Sequence, residues 1–591
     1  MTDRAKGMRR WGYAVWVLLI AGFAVLHAFD LRADFPNGSP WVFDWAKYTD
    51  EGWYGSAAVR AHLFGNWYMA GDFNPAVAVP LWPFLEWVLF FFTGVSVEAA
   101  RGLAVACFFA SLALSYLLLR ARGPDPHPAD EKPSARAPVS HPTDEDLSVG
   151  TPVWMALLAL TLAVSSQFLY CFSRLAILEP LQTTLTLAAL NLAVRLAGAR
   201  RPRLVSAGIG LLFALAMLTK TTEIFLFPAV GWAIVAALWQ RRRLAVSCAA
   251  AAATSAAVAY AVWLAIVGAL GLMGDYKYYF FVNTYPKPAG WGWPLESFWW
   301  SLHGLLWVDH SLIVLAAAVA LGAALGWKSA WGRRLWREPL FGCSLWAVAG
   351  YVLFMTLQNH PQPRYYAVPA FFCFLLVSLG AGTLLGQGSA QGSERARKRG
   401  SEGAEIPALA ARTETRQGWG SQPGRMPRLA GWSVLGLAAA AACVHGAGTV
   451  RYAMHPEYTL ARAAAELTHY IDAHPNGRRL LVSISGDEFM LLTHLPALCD
   501  DFGTEDLPAK TAGYRPGWYA SWNDLDPGTL EDLHMHFSLE QVAAFRALDD
   551  PERNLLVLFK LHPLQAGTRR DPEDPAMKSP LPDDKIDVPV E

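Results

Sequence analysis

Long apolar runs recur along this chain and limit its possible folds more than any other feature of the sequence. An α-helix needs roughly 20 apolar residues to cross the hydrocarbon core of a bilayer, and the sequence offers about eleven such runs. We therefore predict a polytopic α-helical membrane protein. Pro75, Pro80 and Pro83 interrupt a further apolar stretch, 76–93, for which we predict an interfacial or re-entrant helix. The candidate spans lie near 11–29, 97–119, 152–170, 175–197, 204–219, 224–240, 244–271, 301–327, 340–357, 366–386 and 429–448.

The composition agrees with a membrane location and argues against several function classes. Hydrophobic residues make up 53% of the 591 and charged residues 17%, which is unlike an ordinary soluble domain. The formal net charge is zero, so the sequence has no basic footprint of the kind that nucleic-acid-binding proteins carry. Six of the seven cysteines lie in or at the ends of apolar runs, and the spacing matches neither a disulfide framework nor a zinc site. Membrane lipids are therefore expected partners, and nucleic acid is not.

The distribution of lysine and arginine predicts the orientation, because cytoplasmic loops carry an excess of both. Basic residues precede the first span, which lacks a small-residue cleavage site and is predicted to be an uncleaved anchor with a cytoplasmic N-terminus. Alternate loops are again basic, and the loops between them, beginning with 30–96, are predicted to be extracytoplasmic. We place the chain in a bacterial inner membrane. The basic loops lie at 120–122, 200–203, 241–243 and 328–337.

The sequence after the last predicted span, 429–448, is typical of a small soluble α/β domain, which the alternation of loops places in the periplasm. No Gly-rich phosphate loop follows either predicted strand, so a nucleotide site has no support. Gly486, Asp487 and Glu488 are interpreted as the start of a helix. The domain spans 449–570, with helices at 457–474 and 529–547 and strands at 479–485 and 554–561. Segments 121–150, 387–428 and 571–591 are predicted to be disordered, the first two as cytoplasmic linkers.

Two adjacent carboxylates, Asp50 and Glu51, stand in the first external loop, at the start of a helix that is predicted to end at Gly65. The simplest interpretation is structural. Asp50 then caps the helix as its N-cap residue, and Glu51 interacts favourably with the helix dipole. The alternative is that they work on a substrate at the membrane surface.

Other ionisable residues on the same predicted side favour the second interpretation. Each of them alone is more often a snorkelling anchor or a structural ion pair. An acid within apolar surroundings is costly unless it is paired or functional. Together they predict one outward-facing pocket with carboxylates, cations and aromatic rings. The residues are Arg174 at the tip between two spans, Glu179 in the next span, Lys220 and Glu223 in a hairpin, Asp309 and His310 in the outer half of a span, and Arg364 beside Tyr365 and Tyr366.

Such a pocket suits the transfer of a sugar from a polyprenyl phosphate carrier to an acceptor hydroxyl. The phosphate leaves as an anion without needing a proton, so one carboxylate base and a cationic clamp are sufficient. The base takes the proton of the acceptor, and arginine and lysine stabilise charge on the phosphate. Tryptophan and tyrosine in the loops 41–68 and 276–300 either stack on the sugar or form an interfacial aromatic belt.

The motifs in the first 386 residues resemble those of the GT-C glycosyltransferases, in the branch of protein O-mannosyltransferases and lipid A aminoarabinose transferases. The similarity rests on four short motifs in the right order and on one side of the membrane. These are Thr49-Asp50-Glu51 with Tyr54, Ala58 and Gly65-Asn66-Trp67; Ser173-Arg174-Leu175-Ala176 with Glu179-Pro180; Leu218-Thr219-Lys220; and Arg364-Tyr365 with Pro369. One departure is that Asn74-Pro75 and Pro80 follow the first motif without a lysine.

The resemblance implies a GT-C-type catalytic domain over 1–386 and an inverting, polyprenyl-phosphate-sugar-dependent transferase whose acceptor is a lipid, glycan or protein. It implies Asp50 and Glu51 as catalytic residues, with Asp50 as the base. It leaves open a divalent metal ion as cofactor. Two other classes are considered: a transporter or flippase of lipid-linked sugars, and a non-catalytic sensor on the same scaffold. The predicted substrate-binding residues are Tyr54, Arg174, Glu179, Lys220, Arg364 and Tyr365.

Overall fold

Helices dominate the chain up to residue 454 in the computed structural model. The structure describes residues 3–33, 46–121, 152–282, 293–308, 310–358, 362–402, 425–548 and 553–564. The helices of this part are α1 (Asp3–Ala28), α2 (Glu51–Phe64), α3 (Leu81–Thr93), α4 (Val97–Arg120), α5 (Val153–Ser165), α6 (Gln167–Phe172), α7 (Glu179–Ala193), α8 (Pro202–Met217), α9 (Phe227–Ala237), α10 (Arg242–Ala269), α11 (Met273–Lys277), α12 (Trp293–Val308), α13 (His310–Leu325), α14 (Ala330–Arg337), α15 (Pro339–Gln358), α16 (Ala367–Glu402) and α17 (Arg425–Met454).

Six helices among the described residues are long and apolar enough to cross a membrane. Some of them turn large apolar side chains outward; on α10, Val258 and Val262 are more than half exposed. Lipid is the solvent that such a surface fits. The prediction of a helical membrane protein is therefore confirmed, while the number of about eleven spans stays a prediction. The six segments are Trp11–Ala28, Val97–Arg120, Arg242–Ala269, Pro339–Gln358, Pro363–Leu385 and Arg428–Met454.

Several predicted boundaries are wrong. The run 152–170 is divided into α5 and α6, because Ser166 adopts an extended backbone and its hydroxyl accepts a hydrogen bond from the Leu169 amide as the cap of α6. The run 301–327 lies on two helices, α12 and α13. Residues 387–402 and 425–428, predicted to be disordered, are helical and belong to α16 and α17. The other residues of the two predicted linkers, 122–150 and 403–424, and the predicted disordered tail at 571–591 lie outside the described residues.

The residues after α17 form a domain with a mixed five-stranded sheet of order β2-β1-β3-β5-β4. Strand β1 runs parallel to β2 and β3, and β5 is antiparallel to β3 and β4. Apolar side chains on both faces of the sheet pack against helices and form the core of the domain. The elements are α18 (Thr459–Ala473), β1 (Leu481–Val482), α19 (Gly486–Thr493), β2 (Ala497–Leu498), α20 (Leu507–Tyr514), β3 (Trp518–Trp522), α21 (Pro527–His534), β4 (Phe537–Arg546) and β5 (Leu555–Pro563).

The predicted helix at 529–547 is wrong over most of its length. The helix α21 ends at His534, and Phe537–Arg546 is the edge strand β4, which pairs with β5 except at a bulge between Gln541 and Ala543. Pairing with β5 supplies backbone hydrogen bonds that outweigh the helical preference of the apolar pattern. The predicted start of a helix at Gly486 is confirmed, because α19 begins there.

The C-terminal domain packs directly on helix α2. Helix α2 ends at Phe64, and Gly65 adopts the left-handed conformation with φ of 78°, as the sequence predicts. Beyond it, the loop at Gly71 accepts a hydrogen bond of 3.0 Å from the Glu505 amide. Helix α19 lies against α2 so closely that a Cβ atom at Gly52 would come within 2.2 Å of the Glu488 nitrogen. The domain is thus fixed to the helix that follows Asp50.

Candidate active site

A cavity of about 330 Å³ opens between α2, the segment after α8, the end of α15 and the C-terminal domain. It brings together five of the predicted site residues: Asp50, Tyr54, Lys220, Arg364 and Tyr365. The other side chains that line it are Trp53, Phe73, Thr221, Thr222, Phe225, Tyr279, Phe280, Phe354, Leu357, Gln358 and Phe502.

Asp50 is buried at the edge of this cavity and forms an ion pair with Arg364, with 2.7 Å between Asp50 Oδ2 and Arg364 Nε. The predicted N-cap role of Asp50 is wrong. A π-helical turn, Ala46–Asp50, leads straight into α2, so Asp50 itself has helical dihedral angles. Within the described residues of α2, its side chain caps no backbone amide. Its carboxylate is therefore directed to the cation and not to its own helix.

Two cations lie against one tyrosine ring in the cavity. The Arg364 guanidinium carbon is 4.9 Å and the Lys220 ammonium nitrogen 4.5 Å from the centroid of the Tyr365 ring. Lys220 also forms an ion pair with Glu179, the first residue of α7. Burial lowers the pKa of the Lys220 ammonium below its usual value, and the Glu179 carboxylate opposes that shift. This pair of cations can hold an anion such as a phosphate.

Aromatic rings form the wall beside Asp50. The ring of Trp53 meets Phe73 edge-on at 5.3 Å between centroids and Phe502 at 5.0 Å. Tyr279 stacks beside Phe73 at 6.4 Å. Burial raises the pKa of the nearby Tyr54 hydroxyl well above its usual value, so Tyr54 stays neutral. Sequence reasoning did not single out Phe73 or Phe502. Phe502 comes from the C-terminal domain, and no local signal could have connected it with this cavity.

Glu51 is directed away from the described cavity lining, although it neighbours Asp50. Its carboxylate makes a bidentate pair with Arg101 of α4, with N–O distances of 2.8 and 2.6 Å, and accepts a hydrogen bond of 2.8 Å from the Ala176 amide. Both side chains are buried. Glu51 therefore ties α2 to α4 and to the turn before α7. The sequence offered no sign of the partner Arg101.

Arg174 also lies apart from the described cavity lining. Its guanidinium donates to the Tyr170 hydroxyl and to the Asp30 backbone carbonyl, and it stacks over the Tyr170 ring at 4.6 Å. Asp309 lies outside the described residues. Within the described part of the chain, no group of three or more His, Cys, Asp or Glu side chains is placed to hold a metal ion. A divalent metal therefore stays a prediction.

Comparison with known proteins identifies the fold. No protein-family model matches the sequence, and no curated protein matches it. A search of solved structures finds ArnT from Cupriavidus metallidurans in the apo state, with a TM-score of 0.55 and 15% identity over 93% of this chain and 98% of that chain. The chain has the fold of ArnT. ArnT bound to undecaprenyl phosphate matches as well, with a TM-score of 0.51 and 13% identity over 92% of this chain and 98% of that chain.

The match to ArnT confirms the fold that the resemblance of the four motifs implied. It also extends beyond the membrane helices. The match leaves 7% of this chain uncovered, which is about 41 of its 591 residues. The domain at 459–564 is longer than that, so at least part of it aligns with ArnT. At 15% identity the likeness shows the fold, and the site has to be argued from the residues of this chain.

Proposed function

We propose that this protein is an inverting glycosyltransferase that moves a sugar from a polyprenyl phosphate donor to an acceptor hydroxyl at the outer face of a bacterial inner membrane. The observation that carries the proposal is the buried Asp50–Arg364 pair, which shares one cavity with Lys220. A base and two phosphate-binding cations are the groups that this reaction needs. The ArnT structure that contains undecaprenyl phosphate supports a lipid phosphate as the donor's carrier.

The reaction follows from the placement of these groups. The acceptor oxygen attacks the anomeric carbon of the sugar on the face opposite the phosphate, while Asp50 takes the acceptor proton. The bond between the anomeric carbon and the phosphate oxygen breaks, and its electron pair stays on the phosphate. Arg364 and Lys220 stabilise the charge that develops there. Asp50 then releases its proton to water, and the carrier leaves as polyprenyl phosphate.

Arg364 has two alternative partners in this scheme. In the structure, Arg364 pairs with Asp50 at 2.7 Å. When a phosphate binds, the guanidinium can bond to both anions, and its hold on Asp50 weakens. Asp50 thereby becomes available as a base when the donor has arrived. We assign the phosphate contact to Lys220 and Arg364 and not to Arg174, whose described contacts are with Tyr170 and Asp30.

We propose that the sugar binds against the aromatic wall. Trp53, Phe73 and Phe502 present apolar surface beside Asp50. A pyranose ring has apolar faces that pack on aromatic rings, as in many sugar-binding sites. Phe502→Ala is therefore expected to lower the transfer rate while the affinity for undecaprenyl phosphate, which lacks the sugar, stays unchanged. A fall in that affinity would place the ring against the carrier instead.

The proposal is tested by mass spectrometry of envelope glycolipids and glycoproteins from a strain that lacks the gene. A sugar unit should be missing from one class of molecule, and a polyprenyl phosphate sugar should accumulate. The wild-type gene should restore the sugar, and Asp50→Asn should not. Asp472→Asn is the matched control, because Asp472 pairs with Arg479 at the exposed surface of the domain. An unchanged envelope in the deletion strain would overturn the proposal.

A further inference from the structure

We propose that Glu488 of the C-terminal domain is a positioning residue for Asp50, because it accepts a hydrogen bond from the backbone of α2 two residues after Asp50. The inference rests on the proposed function, in which Asp50 is the base. Glu488 touches neither substrate nor reacting atoms in this proposal. It acts through the backbone at the start of α2.

The contact is one hydrogen bond between the two domains. The amide of Gly52, the second residue of α2, donates to Glu488 Oε2 at 2.8 Å, and Glu488 is buried. An acidic acceptor for an amide near the start of a helix also interacts favourably with the helix dipole. Asp50 does not supply this acceptor, because its dihedral angles are helical, whereas an N-cap residue adopts non-helical angles. Its carboxylate pairs with Arg364.

A second set of contacts holds Glu488 in place. The Trp53 indole donates to the Ile484 carbonyl at 3.1 Å, so consecutive residues of α2 bind the segment that leads into α19. Gly52 makes this approach possible, because a Cβ atom there would lie 2.2 Å from the Glu488 nitrogen and 2.3 Å from the Asp487 carbonyl carbon. Those atoms are backbone and cannot move aside as a flexible side chain could. The glycine after the Asp50-Glu51 pair thus has a packing role that its motif alone did not explain.

The consequence for Asp50 lies in the backbone that carries it. Asp50 is the last residue of a π-helical turn that leads straight into α2, and Glu488 holds the amide two residues further on. A buried amide that loses its acceptor is costly, so without Glu488 the backbone at this junction shifts to find another partner. The Asp50 carboxylate would then move relative to Arg364 and the cavity. Glu488 therefore keeps the proposed base directed at the acceptor.

Glu488→Met is the test variant, since it keeps the length of the side chain and removes the acceptor. Glu488→Gln retains an acceptor oxygen and should behave like wild type. Glu466→Gln is the control, because Glu466 is an exposed acid of the same domain. Hydrogen exchange of the peptide that spans 48–56 is read by mass spectrometry in purified protein. Faster exchange in this peptide is expected for Glu488→Met alone.

Transfer kinetics supply the second readout, with lipid extract from the deletion strain as the source of donor and acceptor. We expect kcat to fall ten-fold or more in Glu488→Met with KM for the donor unchanged, because a misplacement of about 1 Å can cost about 10²-fold. Rescue by Glu488→Gln excludes a loss of charge as the cause. Normal kcat in Glu488→Met would overturn the inference and leave the proposed function standing.

The two readouts separate the two proposals. If wild type shows no transfer but exchange responds to Glu488→Met, the proposed function fails and the contact at Gly52 remains. If Glu488→Met does not fold, exchange in the wild-type protein decides, because the Gly52 amide must be protected if it donates to Glu488. An unprotected Gly52 amide would overturn the inference.

Discussion

Asp50→Asn is expected to separate carrier binding from sugar transfer, because Asp50 takes a proton and also competes for Arg364. The two side chains form a buried pair with 2.7 Å between Oδ2 and Nε. A phosphate on the other side of the guanidinium would place two negative charges roughly 6 Å apart, and at an effective dielectric constant of about 20 they repel by about 2–3 kcal/mol. That energy corresponds to about 100-fold in Kd, and water in the cavity reduces it. We expect Asp50→Asn to bind the carrier about ten-fold more tightly.

The assay is the binding of undecaprenyl phosphate to purified protein in nanodiscs, measured beside the transfer rate. Asp50→Asn should bind more tightly and lose turnover by about 10²-fold or more, as expected when a general base is removed. Glu51→Gln is the matched buried control. It should leave the affinity unchanged but lower the thermal stability, because it leaves Arg101 buried without its carboxylate. Asp472→Asn, at the surface, should change neither quantity.

Two outcomes would contradict the roles proposed for Asp50. Weaker carrier binding by Asp50→Asn would show that its carboxylate does not compete with the phosphate for Arg364. Normal turnover by Asp50→Asn would remove it as the base. If Glu51→Gln is inactive in a stable protein while Asp50→Asn turns over, the roles of the two acids are reversed.

Three further predictions concern the clamp, the domain contact and the topology. Lys220→Gln combined with Glu179→Gln removes the buried pair without leaving an isolated charge, and should weaken undecaprenyl phosphate binding by about 1.5–3 kcal/mol, measured in nanodiscs; unchanged affinity would exclude Lys220 from the clamp. Burial raises the pKa of Asp487 to about 7 from its usual 3.8, so the folded state keeps this proton where the unfolded chain releases it. Stability should therefore fall as the pH rises from about 4 to about 7, and Asp487→Asn should flatten that part of the thermal unfolding profile; an unaltered profile would contradict this. In a cysteine-free background, Asp130→Cys should resist a membrane-impermeant thiol reagent in spheroplasts and His474→Cys should react; the opposite pattern would invert the topology.

Helix α2 shows how far the sequence alone leads. Its C-terminal end was predictable at Gly65, because a glycine in the left-handed conformation is a local signal. The orientation of Asp50 at the other end of α2 was not predictable, because the acceptor for the Gly52 amide is Glu488, which stands 436 positions further along the chain. Tertiary contacts decide the partner of each carboxylate at this end of α2.

The predicted membrane topology indicated that a pocket exists, but it did not indicate correctly every side chain that lines it. Lys220 and Arg364 were expected to meet Asp50 because alternating spans place them on one side, and the structure brings all three into one cavity. Arg174 met the same criterion and lies elsewhere. Being on the same face of the membrane does not determine where a side chain points, and the nearby Tyr170 ring supplies a local partner for this guanidinium.

The prediction of a helix over the residues of the edge strand β4 was wrong for a related reason. The apolar residues of 537–546 fit a helix about as well as a strand, and the sequence alone could not include the partner β5. Phe502 likewise reaches the cavity because the domain docks on α2, and docking depends on close approaches such as that at Gly52. Sequence patterns describe single elements well and contacts between distant elements poorly.

The stoichiometry of transfer by the purified protein distinguishes a glycosyltransferase from a transporter. Lipid extract from the deletion strain contains the accumulated donor and the unmodified acceptor, so neither has to be known beforehand. Mass spectrometry should find one polyprenyl phosphate released for each sugar that appears on the acceptor, with Asp50→Asn producing neither. Movement of the intact lipid-linked sugar across the bilayer, with no release of polyprenyl phosphate, would contradict the proposed glycosyltransferase activity and identify a transporter instead.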